Sequence, residues 1–450
     1  MSLKKFIYFT LVILSLSIFL VACGNQAEEN QGSPQNKDVE KVSENNSESQ
    51  IEIDFWHSMS GNNGEEIQKI VDRFNEQSEG IHVNAIFQGS YEDSLTKLRA
   101  LGGTEEAPAI VQVFEGGTKY MSESGFITPM QTFIDQDGFD VSILEENILS
   151  YYTLDDQLYS MPFNTSNAVM FYNKDLFKEA GLDPDHPPRS FSEVKEAAEK
   201  ITKGKDQVGF SFATISWFFE QLMANSGGLI INNDNGRSGE ATASEVNSDI
   251  GLAIFEWIKE MNDQGIFVNY GSSWDDPRGP FFAGKLGMYF DSTANTAQVI
   301  ASSSHEVGTA PMPVMDGVEP KGAVVGGASL WITNQVSEEE QAAAWEFIKF
   351  TTRADVQAEW AGGTGYFPIT PAAYEEQVLK DIYEEYPQYT TAVKQLENTV
   401  NTASTAGALF SIMPEARKII EMALGEVYEG RDPQEALDDA AKKIAEALQK

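Results

Sequence analysis

Cysteine occurs once in 450 residues, at Cys23, which excludes an intramolecular disulfide framework and a cysteine-built zinc site. Histidine is nearly as scarce. His57, His82, His186 and His305 stand far apart with no pair at ligand spacing, so no metal and no other cofactor is expected. Basic residues are outnumbered, 31 Lys and Arg against 69 Asp and Glu, for a formal charge of −38. That balance excludes nucleic acid, whose binding depends on basic groups displacing phosphate counterions. It also excludes adhesion to an anionic bilayer by charge alone. Catalytic signatures are absent: no Gly-x-x-x-x-Gly-Lys-Ser/Thr loop, no Gly-x-Ser-x-Gly elbow and no His-Glu-x-x-His. Carboxylates abound, yet none form a pair that spacing singles out for glycoside hydrolysis. No catalytic residue is expected.

What is present suffices for ordinary cores: 41 % hydrophobic residues with 11 % aromatics, in a chain long enough for two or more domains. Lys4 and Lys5 precede an uncharged apolar run, Phe6 to Ala22, ending in Leu20-Val21-Ala22-Cys23-Gly24. These are the parts of an export signal, and the run is short for a permanent membrane span. Leu-Val-Ala-Cys resembles the lipobox of bacterial lipoproteins, which implies a signal peptide over 1–22 and lipidation of Cys23. Residues 24–50 hold almost nothing apolar, so 23–50 reads as a lipidated Cys and a disordered acidic tether. The expected location is the outer face of the cell membrane, reached through the N-terminal lipid only.

From Ile51 the pattern changes. Ile51-Glu-Ile-Asp-Phe-Trp56 alternates, Ile67, Ile70, Val71 and Phe74 recur at helical spacing, and Ile81–Phe87 alternates again. A helix with Leu95, Leu98 and Leu101 leads to the strand Ala109–Phe114. This β-α-β-α-β order predicts an α/β fold with a parallel sheet, whose ligand crevice lies beyond the carboxyl ends of the strands. Glu115 and Tyr91, each just past a strand, fall at that rim. Further strands are expected at Ala168–Tyr172, Gly287–Phe290 and Ala323–Thr333, and helices at Ser190–Thr202, Ser216–Asn225, Ser248–Gln264 and Ser337–Thr352. Beyond Arg353 the pattern is almost wholly helical. The glycine-rich pieces Val325–Ser329 and Gly362–Tyr366 read, on their own, as turns.

Several short segments carry a family resemblance when taken in order. They are Phe55-Trp-His-Ser-Met59, Gly89-Ser-Tyr91-Glu92, Gln112–Thr118, Pro162-Phe-Asn-Thr-Ser166, Phe171-Tyr-Asn-Lys174, Gly326–Trp331, Thr364–Thr370 and Met413-Pro414 followed by Arg417. The chain from about residue 51 onward resembles the maltose-binding-like (family 1) extracellular solute-binding proteins of bacterial ABC importers. It is most similar to the members that take sn-glycerol 3-phosphate. The resemblance implies a two-lobed, periplasmic-binding-protein-like (type II) fold with a ligand cleft between the lobes. It places lobe 1 over 51–162 plus 292–352 and lobe 2 over 163–291 plus 353–450, with crossings near Met161–Asn167, Asp291 and Thr352. It further implies a monomer that closes on a small ligand and delivers it to permease subunits.

Carried over by motif, the ligand contacts are Tyr91, Glu115, Ser166, Ser292, Gly327, Tyr366 and Arg417. Arg417 suits bidentate pairing with phosphate, with Ser292, Tyr366 and the Gly327 N–H completing that shell. Glu115 suits the glycerol hydroxyls, with Tyr91 and Ser166 beside it. One departure stands out. Where the family member that also takes glycerophosphodiesters has a Trp-x-x-Trp-like segment, this chain reads Thr214-Ile-Ser-Trp217, so the resemblance implies that Trp217 is retained and the other ring is missing. That puts a preference for diesters with a choline headgroup in question. The alternatives are an oligosaccharide-binding protein of the same architecture and, more remotely, a secreted hydrolase using two carboxylates.

Overall fold

A computed structural model describes residues 50–101 and 103–449; the expected signal peptide, Cys23 and nearly all of the tether lie outside the described residues. Alternation builds the first sheet. In β1 (Ile51–His57) Ile53 and Phe55 point inward while Glu52 and Asp54 face solvent. The helix Gly61–Gln77 covers it with Ile67, Ile70, Val71 and Phe74 on one face, and the chain returns as β2 (Ile81–Phe87), parallel to β1. The helix Tyr91–Leu101 then leads to β3 (Ile110–Phe114), parallel to β1 on its other side. Every residue of β3 is buried, as expected of a strand covered on both faces.

After β4 (Ile127–Thr128) and a small hairpin of β5 (Thr153–Leu154) and β6 (Gln157–Leu158), β7 (Met161–Ser166) ends the first pass through this sheet. Only Asn167 separates β7 from β8 (Ala168–Asn173), which opens a second sheet with β9 (Val208–Ser211), β10 (Leu286–Ser292) and β11 (Val307–Pro311). Its order is β11-β8-β10-β9. The chain re-enters the first sheet as β12 (Gly326–Thr333), antiparallel to β3, β4 and β7, giving the order β2-β1-β3-β12-β4. Each sheet has its own core. One gathers Phe55, Phe74, Phe163, Phe347 and Trp360, the other Phe210, Phe212, Trp257 and Phe290. Each such side chain contributes about 1.5–3 kcal/mol by leaving water.

The lobe boundaries differ from the expectation in two places. β11, expected in lobe 1, pairs with β8 in the second sheet. The helix Ala354–Thr364, expected in lobe 2, buries Val356 and Trp360 in the first core, where Trp360 stacks on Phe163 at 5.1 Å. Tyr366, Ile369 and Ala392 join the same core. The third crossing therefore lies beyond residue 396, not at Thr352. It runs beside the second, with the Val400 N–H donating to the Lys321 carbonyl at 2.8 Å and the Ala323 N–H to Thr399 Oγ1 at 3.1 Å. From Ala408 onward the helices Met413–Tyr428 and Pro433–Ala447 cover the second core.

β11 escaped the sequence reading because Gly308 and Pro311 interrupt any strand pattern. Gly308 is required by packing: a Cβ there would come within 2.1 Å of the Tyr172 ring on β8. Gly308→Ala is expected to cost about 1–3 kcal/mol by overpacking, read as a lower denaturant midpoint with unchanged slope. Among the described residues no helix is long and apolar enough to cross a membrane.

Candidate functional site

The carboxyl ends of β3 and β7 and the start of β12 meet helices of the second lobe along one band. Glu115 is the first residue past β3 and is buried. Arg417, one turn into the helix Met413–Tyr428, reaches it from the other lobe: Nη2 donates to Glu115 Oε1 at 2.5 Å. The same guanidinium donates from Nε and Nη2 to Oε1 and Oε2 of Glu220, both at 2.8 Å. Glu220 lies on the helix Ser216–Asn225, one turn after Trp217. Burial works against charge on both sides of this trio. It pushes the Glu115 carboxyl up against the pull of Arg417, while Glu220 and Glu115 together overcome it to hold the Arg417 guanidinium well above its ordinary value.

The backbone makes room for the trio. A Cβ on Gly116 would stand 3.1 Å from Arg417 Nη1 and 2.8 Å from the Phe114 ring, over which the guanidinium lies at 5.5 Å. The Tyr151 hydroxyl donates to the Glu115 carbonyl at 3.2 Å, and its ring carries Arg237 at 4.9 Å. Trp217 packs on β12, where a Cβ at Gly326 would fall 2.5 Å from its ring. Glu115, Tyr151, Trp217, Glu220 and Arg417 line one small cavity of about 10 Å³.

Beside the trio runs a chain of neutral donors and acceptors. The Ser58 N–H donates to Gln112 Oε1 at 2.9 Å, Gln112 Nε2 to Asn164 Oδ1 at 2.8 Å, and Asn164 Nδ2 to the Tyr91 hydroxyl at 2.9 Å. Tyr91 is stacked on Phe114 at 5.5 Å. Tyr366 is stacked on Trp360 at 5.3 Å and donates its hydroxyl to Met59 Sδ at 3.7 Å; burial pushes its phenol up, and the neighbouring Tyr91 and Asn164 offset part of that push. Ser166 closes β7 opposite Gly326, next to the pairing of Thr165 with Gly327. Gly327 has φ +100, and a Cβ there would lie 1.8 Å from the Asn164 carbonyl oxygen. Its glycine is thus needed for the strand contact itself, in addition to any approach of a ligand.

Ser292 ends β10, and its hydroxyl accepts from the Ala294 N–H at 3.2 Å, leaving its own proton free to donate. Its backbone N–H donates to Asp291, which Arg278 holds through two bonds of 2.7 and 2.9 Å. Thr293, the next residue, donates from its N–H to the Asn167 carbonyl, so Ser292 stands beside Ser166 at the crossing.

All the residues expected at the site converge on this band. Missing from the sequence reading were the groups that hold them: Glu220, Tyr151, the Gln112–Asn164 amides and the Arg278–Asp291 pair. The spacing Trp217–Glu220 on one helical face was the only available signal. The expected role of Arg417 is altered, because one edge of its fork is already committed to Glu220 and Nη2 is shared with Glu115. Only Nη1 remains for a further acceptor, so bidentate pairing of Arg417 with phosphate does not fit this arrangement.

The two sheets form an α/β clamshell with an ionic bridge between its lobes. The family model for bacterial extracellular solute-binding proteins matches residues 69–391, and the chain belongs to that family. The sn-glycerol-3-phosphate-binding periplasmic protein UgpB of Yersinia enterocolitica is 34 % identical over 400 residues, covering 87 % of this chain and 91 % of that one. Among solved structures, UgpB from Mycobacterium tuberculosis in complex with glycerophosphocholine superposes with a TM-score of 0.77 at 23 % identity, covering 88 % of this chain and 98 % of that one. The GacH receptor of Streptomyces glaucescens, solved unliganded and with acarbose, gives 0.76 at 19 % identity, covering 89 % and 99 %. Receptors of such different ligands share this fold, so the choice of ligand rests on the side chains.

Proposed function

We propose that this protein captures sn-glycerol 3-phosphate or a glycerophosphodiester between its lobes and delivers it to the permease of an ABC importer, tethered through a lipidated Cys23. The observation that carries this is the Glu115–Arg417–Glu220 bridge standing beside a separate set of neutral donors. The two halves suit the two ends of the ligand. Carboxylates and a shared guanidinium grip vicinal hydroxyls by donating and accepting at once. Tyr91, Tyr366, Ser166, Ser292 and the Gly327 backbone offer hydroxyl and N–H donors to phosphate oxygens, away from the repelling carboxylates. A space of about 10 Å³ holds roughly one water, so glycerol phosphate enters only when the lobes part and close again around it. Contacts to both lobes then favour the closed form by differential affinity.

Calorimetric titration of the purified protein with sn-glycerol 3-phosphate, glycerophosphocholine and maltotriose tests the reading. Saturable binding of a glycerol phosphate is expected and none of maltotriose; the opposite ranking assigns the protein to oligosaccharides. Release of glycerol phosphate from the diester on prolonged incubation would make it a hydrolase instead. Charge adds a kinetic expectation. A −38 protein repels an anionic monoester over distances that salt screens beyond about 8–10 Å, so its on-rate rises with ionic strength. Stopped-flow rates that fall steeply with salt would contradict this.

A further inference from the structure

Away from the ionic bridge, the lobes meet a second time around a cation that has no acid beside it. Arg237 is half-buried in the second lobe, where Nε donates to the Gly407 carbonyl at 2.8 Å and Nη2 to the Ala406 carbonyl at 2.5 Å. Among the described residues no carboxylate pairs with it, and burial pushes its guanidinium below the ordinary value against the pull of Tyr151 alone. A guanidinium withdrawn from water normally has a carboxylate against it. Here an aromatic face takes that place, with the guanidinium over the Tyr151 ring at 4.9 Å. Tyr151 belongs to the first lobe, on the helix Glu146–Tyr152 and in the first core.

The second lobe is shaped to receive this ring. The Tyr151 hydroxyl, bonded to the Glu115 carbonyl, also faces the Ala408 carbonyl at 3.4 Å. Gly407 has φ +77, and a Cβ there would stand 3.1 Å from the Tyr151 ring and 2.7 Å from Val324. The loop that carries Arg237 is held in a strained form: Asn233, Asp234 and Asn235 have φ +55, +53 and +60, a left-handed run disfavoured for residues other than glycine. Asn235 locks it. Its Oδ1 accepts from the Ile230 and Ile231 N–H at 2.8 and 3.3 Å, its Nδ2 donates to the Ala403 carbonyl at 3.0 Å, and its own carbonyl accepts from the Leu409 N–H at 2.8 Å. These bonds fasten the loop to the segment 403–409, just past the third crossing. Strain of this kind persists only where surrounding structure over-determines it, and it gathers at sites that switch. On the same segment Ser411 donates to the Glu123 carboxylate of the first lobe.

We infer that Tyr151 and Arg237 form a clasp between the lobes, a contact that holds the closed form independently of the enclosed ligand. Tyr151, Gly407 and Ala408 wall the cavity that Arg417 lines, and Arg237 stands behind them. The clasp therefore adds the same increment to the closed form whatever solute is inside, and adds it with none. Parting the lobes withdraws the ring and leaves Arg237 with backbone carbonyls alone. This goes beyond the glycerol phosphate reading and does not depend on it.

Small-angle X-ray scattering of the ligand-free full protein, with stopped-flow dissociation of sn-glycerol 3-phosphate and glycerophosphocholine, tests the clasp. The variants are Arg237→Met, Tyr151→Leu, the two combined, and the conservative Arg237→Lys and Tyr151→Phe. In Arg237→Met the ligand-free radius of gyration increases, and both ligands dissociate about fivefold faster, by the same factor. Tyr151→Leu does the same, and the combination adds little to either single change. Arg237→Lys and Tyr151→Phe stay near the parent, because each keeps a cation over a ring. If Arg237→Met fails to fold, the contrast between Tyr151→Leu and Tyr151→Phe makes the same comparison. Parent-like scattering and dissociation in Arg237→Met overturn the clasp. So does an equal effect of Arg237→Met with and without the Tyr151 ring, which marks Arg237 as a brace within its own lobe. If the parent binds neither ligand, the glycerol phosphate reading fails, and the scattering comparison alone decides the clasp.

Discussion

Arg417→Ala abolishes ligand binding and lowers stability together. One guanidinium neutralises Glu115 from the first lobe and Glu220 from the second, so its loss leaves two buried carboxylates facing each other. Breaking a buried pair by removing one partner costs about 3–5 kcal/mol, much of it the penalty of the stranded charge. Affinity falls about 100-fold or more, in line with the loss of a buried charged hydrogen bond at an interface. The pH dependence carries a sign. Burial already holds the Glu115 carboxyl above its usual value. Its contribution to stability is therefore most favourable below the ordinary carboxylate range and declines as pH rises through its folded value. Without Arg417 that decline steepens, so the variant's melting temperature falls further below the parent's at about pH 8 than at about pH 5. The double variant Arg417→Met/Glu220→Gln recovers stability without recovering binding. Normal binding by Arg417→Ala would remove the ionic bridge from the site.

Gly327→Ala produces the second large effect, by geometry instead of charge. A Cβ at this positive φ would meet the Asn164 carbonyl oxygen at 1.8 Å. β7 and β12 must separate there, and Asn164 is the residue that links Gln112 to the Tyr91 hydroxyl. Strain and overpacking together cost about 2–4 kcal/mol, and the donor set around Tyr91 and Tyr366 loses its spacing. Affinity is expected to fall more than about tenfold, with a lower melting temperature. Gly326→Ala is the informative neighbour. There the added carbon meets the Trp217 ring, not backbone, so it disturbs the packing of that ring while sparing the strand pair.

Strand alternation and helical period made the first sheet legible, because β1, β2 and β3 each bury one simple pattern and connect through amphipathic helices. The lobe to which a later helix belongs was not legible. Ala354–Thr364 is apolar on most of its surface, and nothing in that pattern says which sheet it covers. The same limit hid the partners of the site. Glu220 looks like an ordinary glutamate on a helix, and its cation lies 197 residues away. Motif resemblance located Arg417 and Glu115, whereas only three-dimensional packing shows that they oppose each other across the lobes.

Asn167 alone joins β7 to β8, and its side chain donates to the Ala392 carbonyl at 3.0 Å while its backbone exchanges bonds with Thr293. The remaining two connections run alongside each other and are laced by Lys321, Ala323, Thr399 and Val400. Such a spine bends but does not slide. Rotation about such a spine, the motion that the proposed capture requires, would swing Arg417 along an arc away from Glu115 instead of shearing it past, so the ionic bridge between the lobes would open as a latch does.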